Sequence, residues 1–133
     1  MSNVATGAIH HVTLTVTDVG RSADFYTTTL GFQQAMLYGP RAILSNGSTI
    51  LALTPPDPTR AIVNDEFNEN RVGLDHISFS MPDRASLEAA ITRFDEVGIA
   101  HGDINDLGPD LEIYVLAFRD PDNIQLELTA PYG

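Results

Sequence analysis

The chain contains two copies of one sequence pattern, and this repeat constrains the possible folds more than any other feature. Aligning His11 with His76 places the segment HVTLTVTD over HISFSMPD. Further along, ILALTPP in the first copy matches QLELTAP in the second, so that Ala52 stands where the second copy has Glu127. Each copy predicts a strand, then a helix, then further strands. A chain of 133 residues is long enough for one compact domain with its own core.

The predicted domain spans 1–133 and consists of a first module at about 9–54, a linker at about 55–73 and a second module at about 74–130. The linker is rich in Pro, Asp and Asn, which is typical of surface segments. Asp83 and Gly98 are the expected N-cap and C-cap of the second helix. The first helix, which is expected to end near Gly31, contains poor helix formers and must be held by packing.

Three predicted strands alternate polar and apolar residues. Because alternate side chains of an extended strand share a face, each of these strands has one apolar face and one polar face. The polar positions are His11, Thr13 and Thr15 in the first strand, His76, Ser78 and Ser80 in the second, and Gln125, Glu127 and Thr129 in the third. Two imidazoles and one carboxylate are a donor set for a divalent metal with open coordination positions.

Two strand–helix–strands modules set side by side predict an α+β fold. In that fold, two βαβββ modules form a cupped partial β-barrel with the helices outside. The polar faces would then line the cup, which is a natural binding site for a small-molecule substrate. The apolar residues expected to share this lining are Ile113, Val115 and Ala117.

The segments HVTLTVTDVGRSADFYTTTLGF, DHISFSMPD and FRDPDNIQLEL together resemble the vicinal oxygen chelate superfamily. This superfamily includes glyoxalases, extradiol dioxygenases, fosfomycin-resistance proteins and bleomycin-binding proteins. The resemblance implies paired βαβββ modules, a homodimer, and a metal bound by His11, His76 and Glu127. The fourth ligand position of the family falls on Ala52, which cannot bind a metal, so a three-ligand site with open positions is implied.

A site with two histidines and one carboxylate suits Fe2+ and O2 chemistry, and an extradiol-type dioxygenase acting on a small apolar or aromatic substrate is the favoured interpretation. The metal would bind two vicinal oxygens of the substrate as a Lewis acid. Mn2+, Ni2+, Zn2+ or Mg2+ would instead suit a glyoxalase-like isomerase or lyase. A non-catalytic drug- or metabolite-binding protein is the third alternative, although members of that branch generally lack the ligand residues. The acidic residues Asp103, Asp106 and Asp110 argue against fosfomycin as substrate.

No catalytic residue is assigned beyond the metal ligands, and three weaker candidates lie near them. Thr13 and Gln125 share the polar face and are candidates to orient a ligand or to bind substrate. His101 follows the second helix and is a candidate acid or base, although an exposed loop histidine is the default interpretation. Tyr114 is expected in the core on the helix side, and His10 is expected to point away from His11.

The composition limits the classes of partner and the cellular location that are expected for this protein. The formal net charge of −11 disfavours nucleic-acid binding, because a basic surface is lacking. The absence of cysteine excludes disulfides and thiolate ligands, and it fits a cytoplasmic protein. No apolar run approaches the length of a membrane span, and the segment 1–8 does not have the pattern of a secretory signal.

Overall fold

A computed structural model describes residues 3–133 and divides them into two compact units. The first two residues of the segment 1–8 lie outside the described residues. The first unit ends at Ile62, and the second is Val63–Gly133. Each unit contains one α-helix and one four-stranded sheet, which confirms the predicted α+β fold with two strand–helix–strands modules. The boundary falls within the predicted linker.

The first unit forms a mixed sheet with the strand order β1-β4-β3-β2. Strand β1 runs parallel to β4, and the remaining neighbours are antiparallel. The elements are β1 (Val12–Thr15), α1 (Val19–Thr28), β2 (Gln33–Tyr38), β3 (Arg41–Ser45) and β4 (Ile50–Thr54), followed by a short 3-10 turn at Pro58–Arg60.

The second unit repeats this topology with the strand order β5-β8-β7-β6. Strand β5 runs parallel to β8, and the other pairs are antiparallel. The elements are β5 (Ile77–Ser80), α2 (Arg84–Val97), β6 (Asn105–Asp106), β7 (Ile113–Arg119) and β8 (Gln125–Pro131). The two parallel pairs, β1 with β4 and β5 with β8, occupy equivalent positions in the two units.

The caps of α2 are those that the sequence predicts. The Asp83 carboxylate accepts a hydrogen bond from the Ser86 backbone N–H at 2.8 Å, which satisfies one of the free donors at the helix start. Gly98 ends the helix with φ of +74°, a left-handed conformation that glycine adopts without steric cost. Leu87 and Phe94 are buried, whereas Val97 in the last turn is 43% exposed.

The first helix ends earlier than the sequence suggests. Its last residue is Thr28 and its C-cap is Thr29, two residues before Gly31. The Thr28 hydroxyl donates to the Asp24 carbonyl at 2.6 Å, a local bond that competes with regular helix geometry. Tyr26 is fully buried and packs edge-to-face on Phe32 with the ring centroids 6.1 Å apart. Packing therefore holds α1, as its composition predicts.

The alternation of the three strands is confirmed by burial. In β1 and just beyond it, Leu14 and Val16 are buried while Thr13 and Thr15 are exposed. In β8 the buried residues are Leu126, Leu128 and Ala130, and the intervening Gln125, Glu127 and Thr129 are partly accessible. In β5 the apolar residues are half-buried and Ser78 and Ser80 are exposed.

None of the helices in residues 3–133 is both long enough and apolar enough to cross a membrane.

Candidate metal centre

His76 and Glu127 lie side by side on the polar face of the second sheet. His76 immediately precedes β5, and the parallel register of β5 and β8 sets Ser78 opposite Glu127. The His76 Nε2 atom lies 3.5 Å from Glu127 Oε1. Their side chains are 36% and 19% exposed, respectively, so both donor atoms are accessible to a bound ion. Two of the three predicted ligands are therefore brought together within one unit.

The other ring nitrogen of His76 is bound by a residue that the sequence reasoning missed. His76 Nδ1 lies 2.8 Å from Asp75 Oδ1. The Gln125 side-chain amide donates to the same Asp75 oxygen at 2.9 Å and to the Asp75 backbone carbonyl at 3.1 Å. Gln125 was a candidate to orient a ligand, and it contacts the neighbour of that ligand. The adjacency of Asp75 and His76 in the sequence was the available signal.

These contacts determine what His76 presents to Glu127. A carboxylate oxygen only accepts hydrogen bonds, so the geometry assigns the proton to Nδ1. When the ring is neutral, Nε2 therefore presents an unprotonated lone pair to the Glu127 carboxylate oxygen. Two acceptors in this position repel each other unless a cation, either a metal ion or a second ring proton, lies between them. The donor set therefore fits a divalent metal, for which neutral imidazole and carboxylate are ordinary ligands.

The Glu127 oxygen that faces His76 also accepts a hydrogen bond from a hydroxyl group. The Thr129 hydroxyl donates to Glu127 Oε1 at 3.3 Å and is itself hydrogen-bonded to the Ser78 hydroxyl. Because Thr129 uses its proton on the carboxylate, Ser78 donates to Thr129. This chain fixes the orientation of Glu127 through groups on two paired strands.

The third predicted ligand, His11, occupies the equivalent place in the first unit. The register of β1 and β4 sets Thr13 opposite Ala52, as Ser78 is set opposite Glu127 in the second unit. His11 is exposed, and its Nδ1 atom lies 2.9 Å from Nδ1 of His10. The two rings meet edge-to-face with centroids 5.1 Å apart, so His10 does not point away from His11 as strand parity suggested. The strand begins only at Val12, and parity does not extend to residues before it.

The first unit has no carboxylate at the repeat-equivalent position. Ala52 is 6% exposed and offers only a methyl group. Within either unit of residues 3–133, no three His, Cys, Asp or Glu side chains stand close enough to bind a metal by themselves. The pair in the second unit therefore needs a further ligand, and His11 stays the predicted one.

A cavity of about 310 Å³ lies on the same sheet; Gln125 lines it, whereas His76 and Glu127 do not. The antiparallel register sets Ala117 opposite Glu127 and Arg119 opposite Gln125, and cross-strand partners share a face. Val115 and Ile113 follow on this face, as the alternation predicts. The residues that line the cavity are Ala100, His101, Gly102, Ala117, Phe118, Arg119 and Gln125.

His101 lines this cavity, and both of its ring nitrogens are engaged in hydrogen bonds. Its Nε2 atom lies 2.7 Å from the Asp95 carboxylate of α2, and Nδ1 lies 2.6 Å from the Gly102 carbonyl oxygen. Hydrogen bonding to Asp95, and then to Gly102, raises the pKa of His101 above its ordinary value. The side chain is 16% exposed, which differs from the default expectation of an exposed loop histidine. Both nitrogens face acceptors, so the arrangement suits a charged imidazolium that joins α2 to the following loop.

Arg119 is likewise held by a partner from the linker. Its two terminal nitrogens donate to the two Glu69 carboxylate oxygens, each at 2.8 Å. This bidentate pair lowers the pKa of Glu69 to about 2. The linker is therefore attached to β7 at Glu69, close to the strand end that carries Gln125.

Tyr114 lies on the opposite face of β7, as strand parity predicts, but it is half-buried rather than in the core. Its ring lies 4.8 Å from the Arg84 guanidinium and 4.8 Å from the ring of Tyr132.

Comparison with known proteins agrees with the fold. The model of the Glyoxalase/Bleomycin resistance protein/Dioxygenase superfamily matches residues 8–128. The chain therefore belongs to this superfamily, which the resemblance of its motifs indicates independently.

One relative of known activity is a dioxygenase. Over 123 residues the chain is 29% identical to catechol-2,3-dioxygenase of Bacillus subtilis (strain 168), covering 92% of this chain and 41% of that protein. The chain thus spans well under half the length of this relative.

Two solved structures extend the comparison. A glyoxylase/bleomycin resistance protein/dioxygenase domain from Frankia sp. EAN1pec is 30% identical with a TM-score of 0.79, covering 96% of this chain and 93% of that chain. Lactoylglutathione lyase from Agrobacterium tumefaciens is 25% identical with a TM-score of 0.71, covering 94% of both chains.

Proposed function

We propose that this chain is a metal-dependent enzyme with extradiol-type dioxygenase chemistry on a small, largely apolar or aromatic substrate that carries two vicinal oxygens. The observation that carries the proposal is the facing pair of acceptors, His76 Nε2 and Glu127 Oε1, at 3.5 Å. His76 and Glu127 would bind the metal together with His11. A bound Fe2+ would supply Lewis acidity toward the two substrate oxygens and the redox capacity that O2 chemistry requires.

The surroundings of the pair support a small apolar substrate. The cavity of about 310 Å³ is at the lower end of the range for small-molecule sites, which suits a single-ring compound. Ala117, which lines the cavity, offers apolar surface on the face that carries Glu127. Arg119 lies at one edge of the cavity with its charge paired to Glu69. These residues would orient the ring and exclude water while the metal holds the oxygens.

Similarity to a catechol-2,3-dioxygenase favours ring cleavage over other chemistry of the superfamily. The second candidate is a glyoxalase-like isomerase or lyase with Mn2+, Ni2+, Zn2+ or Mg2+, which similarity to a lactoylglutathione lyase supports. A non-catalytic drug- or metabolite-binding protein is less favoured, because members of that branch generally lack the ligand residues that this chain has at His11, His76 and Glu127. A homodimer and a cytoplasmic location belong to the same proposal.

The test is reconstitution with Fe2+ without oxygen, followed by a panel of substituted catechols with recording of O2 uptake and of the ring-cleavage chromophore. Turnover that is lost in both His76→Ala and Glu127→Gln supports the proposal. His101→Gln is the matched control for metal content, because it removes an imidazole that is already paired to Asp95 and Gly102. Metal loading without O2 uptake for any catechol, together with activity of the Ni2+ or Zn2+ form on a hemithioacetal, would favour the isomerase instead.

A further inference from the structure

The contacts around His76 involve Asp75 and Gln125, two residues that are not among the predicted metal ligands. We infer that Asp75, held by Gln125, is a positioning residue that fixes the tautomer and the ring orientation of His76 and so directs Nε2 toward Glu127. The inference rests on the proposed function for its metal, but its geometric part concerns the protein alone.

The first argument is the connectivity of the network. Asp75 Oδ1 is shared between His76 Nδ1 at 2.8 Å and the Gln125 amide at 2.9 Å. A second bond from Gln125 to the Asp75 carbonyl, at 3.1 Å, holds the backbone at the residue before the strand. Asp75 is therefore fixed at both its side chain and its main chain by one amide on β8.

The second argument is the position of the network relative to the strands. Gln125 and Glu127 are alternate residues of β8, so their side chains share a face. His76 is bound at Nδ1 through Asp75 to Gln125, and its Nε2 faces Glu127. Strand β8 thus holds the His76 ring on one side through Gln125 and Asp75, and it places the Glu127 carboxylate against the ring on the other side. A rotation of the ring would break the bond to Asp75 and move Nε2 away from Glu127.

The third argument is chemical. Histidines that bind metals usually donate their other ring N–H to a carboxylate, which fixes the tautomer and makes the ligating nitrogen more basic. Loss of such a partner ordinarily weakens metal binding about 10- to 100-fold. The Asp75 side chain is 67% exposed, so water competes for its bonds, and we expect an effect of about 10-fold, at the low end of that range.

The experiment compares Asp75→Ala and Asp75→Asn with wild type, using Asp65→Ala as the control for loss of one exposed carboxylate in the same unit. Nitrogen-15 NMR of the histidine rings in metal-free protein reports the tautomer of His76. Competition of Zn2+ with a chromophoric chelator reports the affinity. Far-UV circular dichroism confirms that each variant is folded, and Asp75→Asn retains the size and one acceptor oxygen if Asp75→Ala does not fold.

The expected result is an Nδ1–H tautomer for His76 in wild type and in Asp65→Ala. In Asp75→Ala we expect the Nε2–H form and about 10-fold weaker Zn2+ binding, with Asp75→Asn between these limits. An unchanged tautomer and an affinity within two-fold of wild type would overturn the inference while leaving the metal site in place. If wild type does not bind Zn2+, the proposed function fails for this probe, and the tautomer shift alone decides whether Asp75 positions the ring.

Discussion

Replacing Glu127 with glutamine tests the claim that two acceptors face each other at the centre of the site. The substitution keeps the size of the side chain and offers an N–H₂ group to His76 Nε2, which lies 3.5 Å from Glu127 Oε1. The Thr129 hydroxyl, which donates to that oxygen, can accept instead. With the metal-free protein held at about pH 8.5, so that the imidazole ring carries no second proton, we therefore expect Glu127→Gln to stabilise the protein and to abolish stabilisation by metal.

The magnitude follows from the hydrogen bond gained. A neutral hydrogen bond contributes about 0.5–1.5 kcal/mol net, and the 36% exposure of His76 places this one near the lower half of that range. Unfolding of 133 residues carries a melting entropy of about 0.28 kcal/mol/K, from about 2.1 cal/mol/K per residue. The melting temperature of the metal-free variant should therefore rise by about 2–4 °C.

Metal has a larger effect on wild type. At a free metal concentration 100 times the dissociation constant, binding stabilises the folded state by about 2.7 kcal/mol, or about 10 °C. Thermal unfolding with and without Zn2+ measures both quantities in one assay. A metal-free Glu127→Gln variant that melts below wild type and still gains about 10 °C with Zn2+ would refute the reasoning.

Three further predictions concern the rest of the second unit. Phe94→Ala should destabilise the protein by about 3–5 kcal/mol in urea unfolding, because Phe94 is 2% exposed and stacks on another ring; a loss below about 1 kcal/mol would contradict this packing. The raised pKa of His101 means that its pairing with Asp95 stabilises the fold below the unfolded pKa of about 6.5, and that this contribution is lost as the pH rises through the folded pKa. The stability difference between wild type and His101→Gln should therefore be greater at pH 6 than at pH 9, and a difference independent of pH would exclude the pairing. Glu69→Gln should increase protease cleavage in the linker at neutral pH, because it removes the ion pair with Arg119. Since the pKa of Glu69 is lowered to about 2, wild type should lose this protection only as the pH falls from the ordinary carboxyl range toward that value. Equal cleavage of both proteins would show that the pair with Arg119 does not hold the segment.

The elements of the fold could be predicted because local patterns and tertiary structure agree. Alternation identifies the buried face of β1, β5 and β8, and the repeat aligns Ala52 with Glu127 as the strand registers confirm. Asp83 and Gly98 bound α2 because cap chemistry depends on neighbouring residues only. The proximity of His76 and Glu127 followed from the same alternation.

The parts that sequence reasoning missed depend on contacts outside regular strands. Asp75 precedes β5, where parity no longer indicates side-chain direction, and its bond to Gln125 joins residues 50 positions apart. The Glu69–Arg119 pair has the same separation and starts from a segment with no regular structure. His10 contacts His11 because the backbone there is not yet a strand.

The measurement that tests the central claim most directly is the metal content of the protein after reconstitution with Fe2+, Mn2+, Ni2+ and Zn2+ in turn. We predict about one divalent ion per chain for wild type, as expected of a single site built on His76 and Glu127, and none for His76→Ala. His101→Gln should retain the full amount. Wild-type protein that binds none of the four ions, or His76→Ala protein that binds as much as wild type, would contradict the account.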